Sequence, residues 1–378
     1  MCNIYLEGVA MRKRIAAVCL AAVMALTYTG CSQSVSGETH EVVSEAVQEE
    51  TKEGDAQVTN VPENTEETEA PKLDLSIPVE KGSRIAVVAK SLKSDYWKKI
   101  REGMRDAVDQ MNEAYGYEGS DRVTLTFEVP DNEADASDQI NIIDAVLAEN
   151  PTVLCLSAVD ADSCAAQVQT AHENGIPVII FDSGLNDSNV DGVVGSDNTQ
   201  IGKTAAAKMA EALNDEGKVA VVAHSEIGKS SQERIDGFQN SMQNMPGIEV
   251  LDPVYDNSSE DLADQVDQIL DSNEDLSGIF CTNGDVVDTV LDCVKAAGRE
   301  NLKIVGVDGT SGQQEAVGEG WELGFVAQNP HEIGYQTVLQ ALCAAFGDEK
   351  EDNNEKSIEV QWIDSENLSD FEGTGYLM

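Results

Sequence analysis

The sequence predicts an α/β protein of two similar lobes, each a parallel sheet flanked by helices. From Gly82 onward, short apolar runs alternate with longer amphipathic segments, the pattern of βαβ units on a parallel sheet. The alternation completes one series and then starts a second. At 378 residues the chain also exceeds what one hydrophobic core usually supports. Aromatics are few, at 5%, while Ala, Val, Ile and Leu are plentiful, which suits helices on parallel strands better than a β-sandwich.

A leader precedes the two series. Met11-Arg12-Lys13-Arg14 and then apolar Ile15–Leu26 have the form of a secretory signal. The apolar run is too short for a membrane-spanning helix, which needs about 20 residues. Residues 1–10 carry no such logic, which puts the true start at Met11. Tyr28-Thr29-Gly30-Cys31-Ser32 follows and resembles a bacterial lipobox, with Tyr28 where an aliphatic residue is usual. It implies removal of residues 1–30, lipid attachment at Cys31 and anchoring to the membrane by two acyl chains. Residues 31–81 read as an acidic tether: Ser32 to Ser76 contains no Phe, Tyr or Trp and no sustained apolar period. Such a segment cannot bury enough apolar surface to offset its ordering entropy and is expected to be disordered. Its length suits a Gram-positive wall, with the folded body on the outer face of the cell membrane.

In the first series, Ile85–Ala89 is a short apolar run, and Asp95–Ala114 has helical spacing at Trp97, Ile100, Met104, Ala107 and Met111. Val123–Val129 reads as a strand and Ala136–Leu147 as a helix. Val153–Leu156, Ile176–Phe181 and Val193–Gly195 read as strands, with helix Ala161–Asn174 between the first two. In the second series, helices Thr199–Leu213, Gln232–Asn244, Glu260–Leu270, Val286–Ala297, Gln313–Val317 and Gly334–Phe346 alternate with strands. Those strands are Val219–Ala223, Glu249–Pro253, Gly278–Cys281, Lys303–Val307 and Leu323–Ala327. Gly175, Gly217, Gly247 and Gly298 follow helical segments, where glycine can take positive φ.

Charge and motifs exclude several functions. A net charge of −46 offers little to a phosphate backbone, so no nucleic-acid partner is expected. No GxGxxG follows the first strand, and neither GxxxxGK[ST] nor GxSxG occurs, so the chain reads as no enzyme. His40, His172, His224 and His331 are scattered, and the cysteines form no CxxC pair. A Dx[DN]x[DN]G calcium loop is missing around Asp252–Asp261, and no cofactor or metal is implied. A repressor would need a basic helix-turn-helix headpiece before residue 83, where an acidic tether stands instead.

Polar residues gather where the strands end, the place where ligands of parallel α/β sheets bind. Lys90, Ser94, Tyr96 and Trp97 follow the first strand, and Asp182-Ser183 ends Ile176–Phe181. Arg234 sits early in its helix, Asn283 follows Gly278–Cys281, Asp308 follows Lys303–Val307, and Gln328 follows Leu323–Ala327. Such a set matches a sugar, whose hydroxyls both donate and accept and whose C–H face suits an aromatic plane. Each residue has a plainer reading too: Asp182 and Asp308 as turn residues, Arg234 as a surface residue, Trp97 as core, Asn198 and Thr199 as helix caps.

The stretches Ile85–Trp97, Gly175–Asp182, Ser196–Asn198, Arg234–Phe238, Val305–Thr310 and Ala327–Pro330, in this order and spacing, resemble the ribose/galactose-binding branch of bacterial sugar-binding proteins. The resemblance covers almost all of residues 83–362 and implies the type I periplasmic binding protein fold, with a three-strand hinge. It places the crossings near Asp197–Thr199, Gln328–Pro330 and Lys356–Glu359. The lobes would then be 82–197 plus 330–356 and 198–329 plus 357–378. It implies aromatic contact from Tyr96 and Trp97 and hydrogen bonds from Asp182, Arg234, Asn283, Asp308 and Gln328. Ser183 stands where the family commonly has Arg, and Lys90 where it often has a small polar residue, which leaves room for a modified or acidic ligand. The function implied is capture of a sugar-like ligand by a monomer and its delivery to the membrane subunits of an ABC transporter. The alternative is a sugar or autoinducer sensor that reports to a chemoreceptor or histidine kinase.

Overall fold

The computed structural model describes residues 77–186, 189–256, 260–347 and 355–378, which fall within one compact unit. The expected leader with its start at Met11, the expected lipid-attachment residue Cys31 and nearly all of the expected tether lie outside the described residues.

The first series folds as β1 (Arg84–Val88), α1 (Asp95–Tyr115), β2 (Thr124–Glu128), α2 (Ala136–Ala148), β3 (Val153–Leu156), α3 (Ala165–Glu173), β4 (Val178–Phe181) and β5 (Gly192–Ser196). The second runs α4 (Asn198–Leu213), β6 (Gly217–Ala223), α5 (Lys229–Met242), β7 (Ile248–Val250), β8 (Val254–Tyr255), α6 (Leu262–Ser272), β9 (Leu276–Cys281) and α7 (Gly284–Ala296). It continues with β10 (Lys303–Val307), α8 (Ser311–Glu319) and β11 (Gly324–Ala327). Then come α9 (Pro330–Phe346), β12 (Glu355–Ile358) and β13 (Gln361–Asp364).

Two sheets result. One has the order β12-β5-β4-β3-β1-β2 with every pairing parallel. The other has the order β13-β11-β10-β9-β6-β7, with β8 also beside β6, and only β13 runs antiparallel to its neighbour. Strand side chains alternate between faces, and both faces of each sheet are covered, so the strands read as continuous apolar runs. In the first sheet Ile85, Val87, Cys155, Ile179 and Phe181 pack toward α1 and α9. Ala86, Val88, Leu154, Leu156 and Ile180 pack toward α2 and α3. The second sheet repeats the scheme: Val219, Val221, Phe280 and Val305 meet α4 and α5, while Ala220, Val222, Ile279 and Ile304 meet α6 and α7. Cys155, Cys164, Cys281 and Cys293 are buried unbridged thiols, small hydrophobes of these cores.

The chain passes between the sheets after β5, after β11 and between β12 and β13. The helix after each of the first two crossings packs on the sheet the chain enters: α4 on β9 and β10, α9 on β3, β4 and β5.

Several expectations need correction. Ile358 pairs with Ser196, so the first sheet extends through residue 358 instead of ending near 356. The expected strand Glu249–Pro253 is two short pieces, β7 and β8, interrupted around Pro253, which has no backbone N–H to give to a ladder. Gly247 is not at positive φ, whereas Gly175 and Gly298 are. The cap of α4 is Asp197, whose side chain accepts from Gln200 N.

Candidate functional site

The carboxyl ends of both sheets border one cavity of about 230 Å³. Lys90, Ser94, Tyr96, Trp97 and Asp182 reach it from the first lobe. Arg234, Asn283 and Asp308 reach it from the second, and Gln328 from the segment between β11 and α9.

Two aspartates anchor the site from opposite sides. Asp182 closes β4 at φ 59 and Asp308 closes β10 at φ 96. Positive φ is uncommon away from glycine and costs roughly 1–3 kcal/mol, so surrounding bonds must hold it. The Asp182 amide donates to Val194 O at 2.9 Å, and that of Asp308 to Val326 O at 3.1 Å. Both turns thereby deliver a carboxylate off the end of a strand. Asp182 Oδ1 accepts from the Tyr96 hydroxyl at 2.6 Å, and its Oδ2 from Ser157 at 3.3 Å. Asp308 Oδ2 accepts from Gly284 N at 2.9 Å, and its Oδ1 from Gln328 Nε2 at 2.7 Å. Gln328 Oε1 lies 3.3 Å from the Tyr96 oxygen, so polar groups run unbroken from one aspartate to the other.

Arg234 is 3% exposed, which removes the surface reading. Its Nε donates to Asn198 Oδ1 at 2.9 Å and a terminal nitrogen to Thr282 O at 2.6 Å. Asn198 is thus not the cap of α4 but the residue that aims the guanidinium. Asn283 caps α7 by accepting from Val286 N, leaving its amide nitrogen for the cavity. Trp97 is both core and wall: it packs edge-on against Phe181 and lines the cavity. Ser94 starts α1 without a side-chain cap bond.

Burial sets the titration of these groups. It pushes Asp308 above the usual carboxylate range, opposed by the Arg234 charge. It lowers Lys90, opposed by Asp182 and Glu133. Burial, then the Asp182 and Asp308 charges, put Tyr96 well above the ordinary phenol.

Ser183 is the predicted residue that the structure does not bring to the cavity. It is fully buried behind Asp182, and its hydroxyl accepts from Ser230 N at 3.5 Å. The positive φ of Asp182 turns the chain there, so consecutive residues serve different surfaces. Glu133, His224, Asp285, Asp288 and Thr310 line the cavity and were not singled out from sequence. Glu133 and His224 follow β2 and β6, so the strand-end rule held the signal for both. His224 Nδ1 meets Thr282 Oγ1 at 2.8 Å. Burial, then Lys90 and Arg234, push its pKa well below the ordinary value, so it is neutral at pH 7. Burial and then the charge of Asp308 push Asp285 up to about 6. With these residues counted, carboxylates outnumber cations in the wall, which disfavours the acidic ligand that Lys90 and Arg234 alone would suit.

Residues 85–349 match the periplasmic binding protein domain family. The ribose import binding protein RbsB of Haemophilus influenzae is 26% identical over 257 residues, 68% of this chain and 84% of that one. The D-ribose/D-allose-binding protein of Pseudomonas aeruginosa is 24% identical over 280 residues, 71% and 85% of the two chains. An ABC transporter solute-binding protein from Agrobacterium vitis, solved with bound D-fucose, is 26% identical. It superposes with a TM-score of 0.71 over 78% of this chain and all of that one.

Proposed function

Because this chain belongs to the periplasmic binding protein domain family, we propose that it captures a sugar between its lobes and delivers it to an ABC transporter. The observation that carries this reading is the convergence of Asp182 and Tyr96 from one lobe with Arg234, Asn283 and Asp308 from the other on one cavity. Carboxylates accept from sugar hydroxyls, and the guanidinium and amides donate to them. Tyr96 and Trp97 cover the C–H face. A ligand touching both lobes favours the closed state by its differential contacts, with the three crossing segments as hinge. Membrane subunits would recognise the closed form, and no bond in the ligand changes. The leader and Cys31 support an exported, lipid-anchored protein; loss of radiolabelled palmitate incorporation in Cys31→Ala tests that part.

For the binding role, the full chain is titrated calorimetrically with D-ribose, D-allose and D-fucose, the sugars named for its relatives. Saturable binding, with a melting temperature that rises with ligand concentration, is the expected result. Arg234→Ala and Asp308→Ala each remove a charged hydrogen-bonding group and should weaken affinity at least about tenfold while the circular dichroism stays native. Unchanged affinity in both variants would sink the site assignment.

A further inference from the structure

The cavity between Asp182 and Asp308 adjoins a second one, of about 330 Å³. The two share Lys90, Glu133, His224, Asn283 and Asp285. Ligand pockets usually measure roughly 300–1,000 Å³. The inner cavity alone falls short of that range, and the joined pair falls within it.

Lys90 stands at the waist between them. It is 4% exposed, lines both cavities, and makes no hydrogen bond or ion pair among the described residues. Asp182 and Glu133 compensate its charge only at a distance. A buried ammonium without an acceptor is costly, and a ligand oxygen at the waist would supply one. The outer cavity differs in character. Glu133, Glu226, Asp256 and Asp285 line it, and Lys90 is its one Lys or Arg among the described residues. Carboxylates are acceptor-only groups, so this wall needs donors, and an ammonium brings three together with the opposite charge.

Resting on the reading of the chain as a sugar-binding protein, we infer that the cleft takes a two-unit ligand. A sugar occupies the inner cavity and is linked to an amine-bearing unit in the outer one, with Lys90 donating to an oxygen near the junction. A sugar acid in that position would set its carboxylate against several others and be rejected.

The full chain is titrated with glucose and galactose, with disaccharides that carry these sugars as the inner unit, and with the same disaccharides bearing glucosamine or glucuronic acid as the outer unit. The glucosamine form should bind at least about tenfold tighter than the monosaccharide, and the glucuronic form weakest. Raising the salt should erode the glucosamine advantage, because the outer wall is open to solvent. Lowering the pH through 6 should erode it further, as Asp285 takes up its proton. Glu226 and Asp256 line only the outer cavity, so Glu226→Gln with Asp256→Asn should cost the glucosamine form up to about tenfold. The same pair should leave monosaccharide affinity within about twofold. Equal affinity of the neutral and amine-bearing forms, or tightest binding by a monosaccharide or the acid, overturns this inference and leaves sugar capture standing. No binding by any sugar, with the chain folded, removes both.

Discussion

Asp308 reaches the cavity on a turn held from beneath by a buried carboxyl. Gln313 Oε1 accepts from Gly309 N and Thr310 N at 2.9 and 3.1 Å, and its Nε2 donates to Glu322 Oε1 at 2.9 Å. Glu322 is 3% exposed, and its other oxygen is buried without a partner. Burial therefore pushes its pKa well above the ordinary value of 4.5. A carboxyl raised in the folded state binds more protons there than in the unfolded chain. Its stabilising contribution is complete below 4.5 and is lost as the pH rises through the folded value. The melting temperature should thus decline on the alkaline side. Glu322→Gln, which keeps the acceptor and stands for the neutral acid, should reduce that decline by a few degrees, roughly, in a pH series of thermal melts. An identical decline in the variant would remove Glu322 as its cause. This support was not legible in the sequence, where Glu322 sits one residue before an expected strand and looks like a surface acid. Asp182, Asp308 and Gln328 were legible because each ends an apolar run. Ser183 was misread because adjacency in sequence stood for adjacency in space, and the positive φ of Asp182 breaks that link.

At the scale of elements, each lobe joins two helices through a reciprocal pair of glycines. In the first, a Cβ on Gly103 of α1 would lie 2.0 Å from His331 O, and one on Gly334 of α9 would lie 2.0 Å from Ile100 O. In the second, a Cβ on Gly202 of α4 would lie 2.1 Å from Arg234 O, and one on Gly237 of α5 would lie 2.3 Å from Thr199 O. Each pair joins the helix after a crossing (α9 or α4) to the helix that follows the host sheet's first strand (α1 or α5), so the two lobes solve one packing problem alike. The consequences for binding differ, because the second pair touches the residue that carries the guanidinium. Gly202→Ala and Gly334→Ala should each destabilise by about 1–3 kcal/mol, since backbone must move. Only Gly202→Ala should also weaken ligand binding, several-fold, by displacing Arg234. Equal loss of affinity in both variants would contradict this. Most elements were legible because buried parallel strands are apolar throughout and their helices amphipathic. β12 and β13 were not: Glu355, Lys356 and Ser357 are exposed on an edge strand, and nothing in their polarity marks it. Their identity comes from pairing with β5 and β11, which is tertiary information.

Across the whole molecule, the lobes also meet directly beside the cavity. The Ala161 amide of the first lobe donates to Ile227 O of the second at 2.9 Å. Lys229 Nζ donates to Leu185 O at 3.1 Å, and Ser230 N to the hydroxyl of Ser183 at 3.5 Å. Segment 227–230, of which Ser230 and Ile227 also border the cavities, is therefore a latch that closes on the first lobe through bonds separate from those that hold Asp182, Arg234 and Asp308, and Ser183 belongs to it. Such contacts lower the free energy of the closed form whether or not ligand is present, and apparent affinity scales with the population of the binding-competent form. One backbone–backbone bond, one backbone-to-hydroxyl bond and one half-buried cation contribute modestly, roughly 0.5–1.5 kcal/mol each. The latch can then bias closure but cannot by itself commit the lobes. Lys229→Ala removes one of its bonds without touching the cavity wall. It should weaken sugar affinity about two- to tenfold, mainly through faster dissociation. It should also enlarge the radius of gyration of the ligand-free protein in solution scattering, while the saturated forms of variant and parent coincide. If the ligand-free scattering is unchanged and the affinity is unaltered, closure depends on the ligand's contacts alone, and segment 227–230 is only a neighbouring surface.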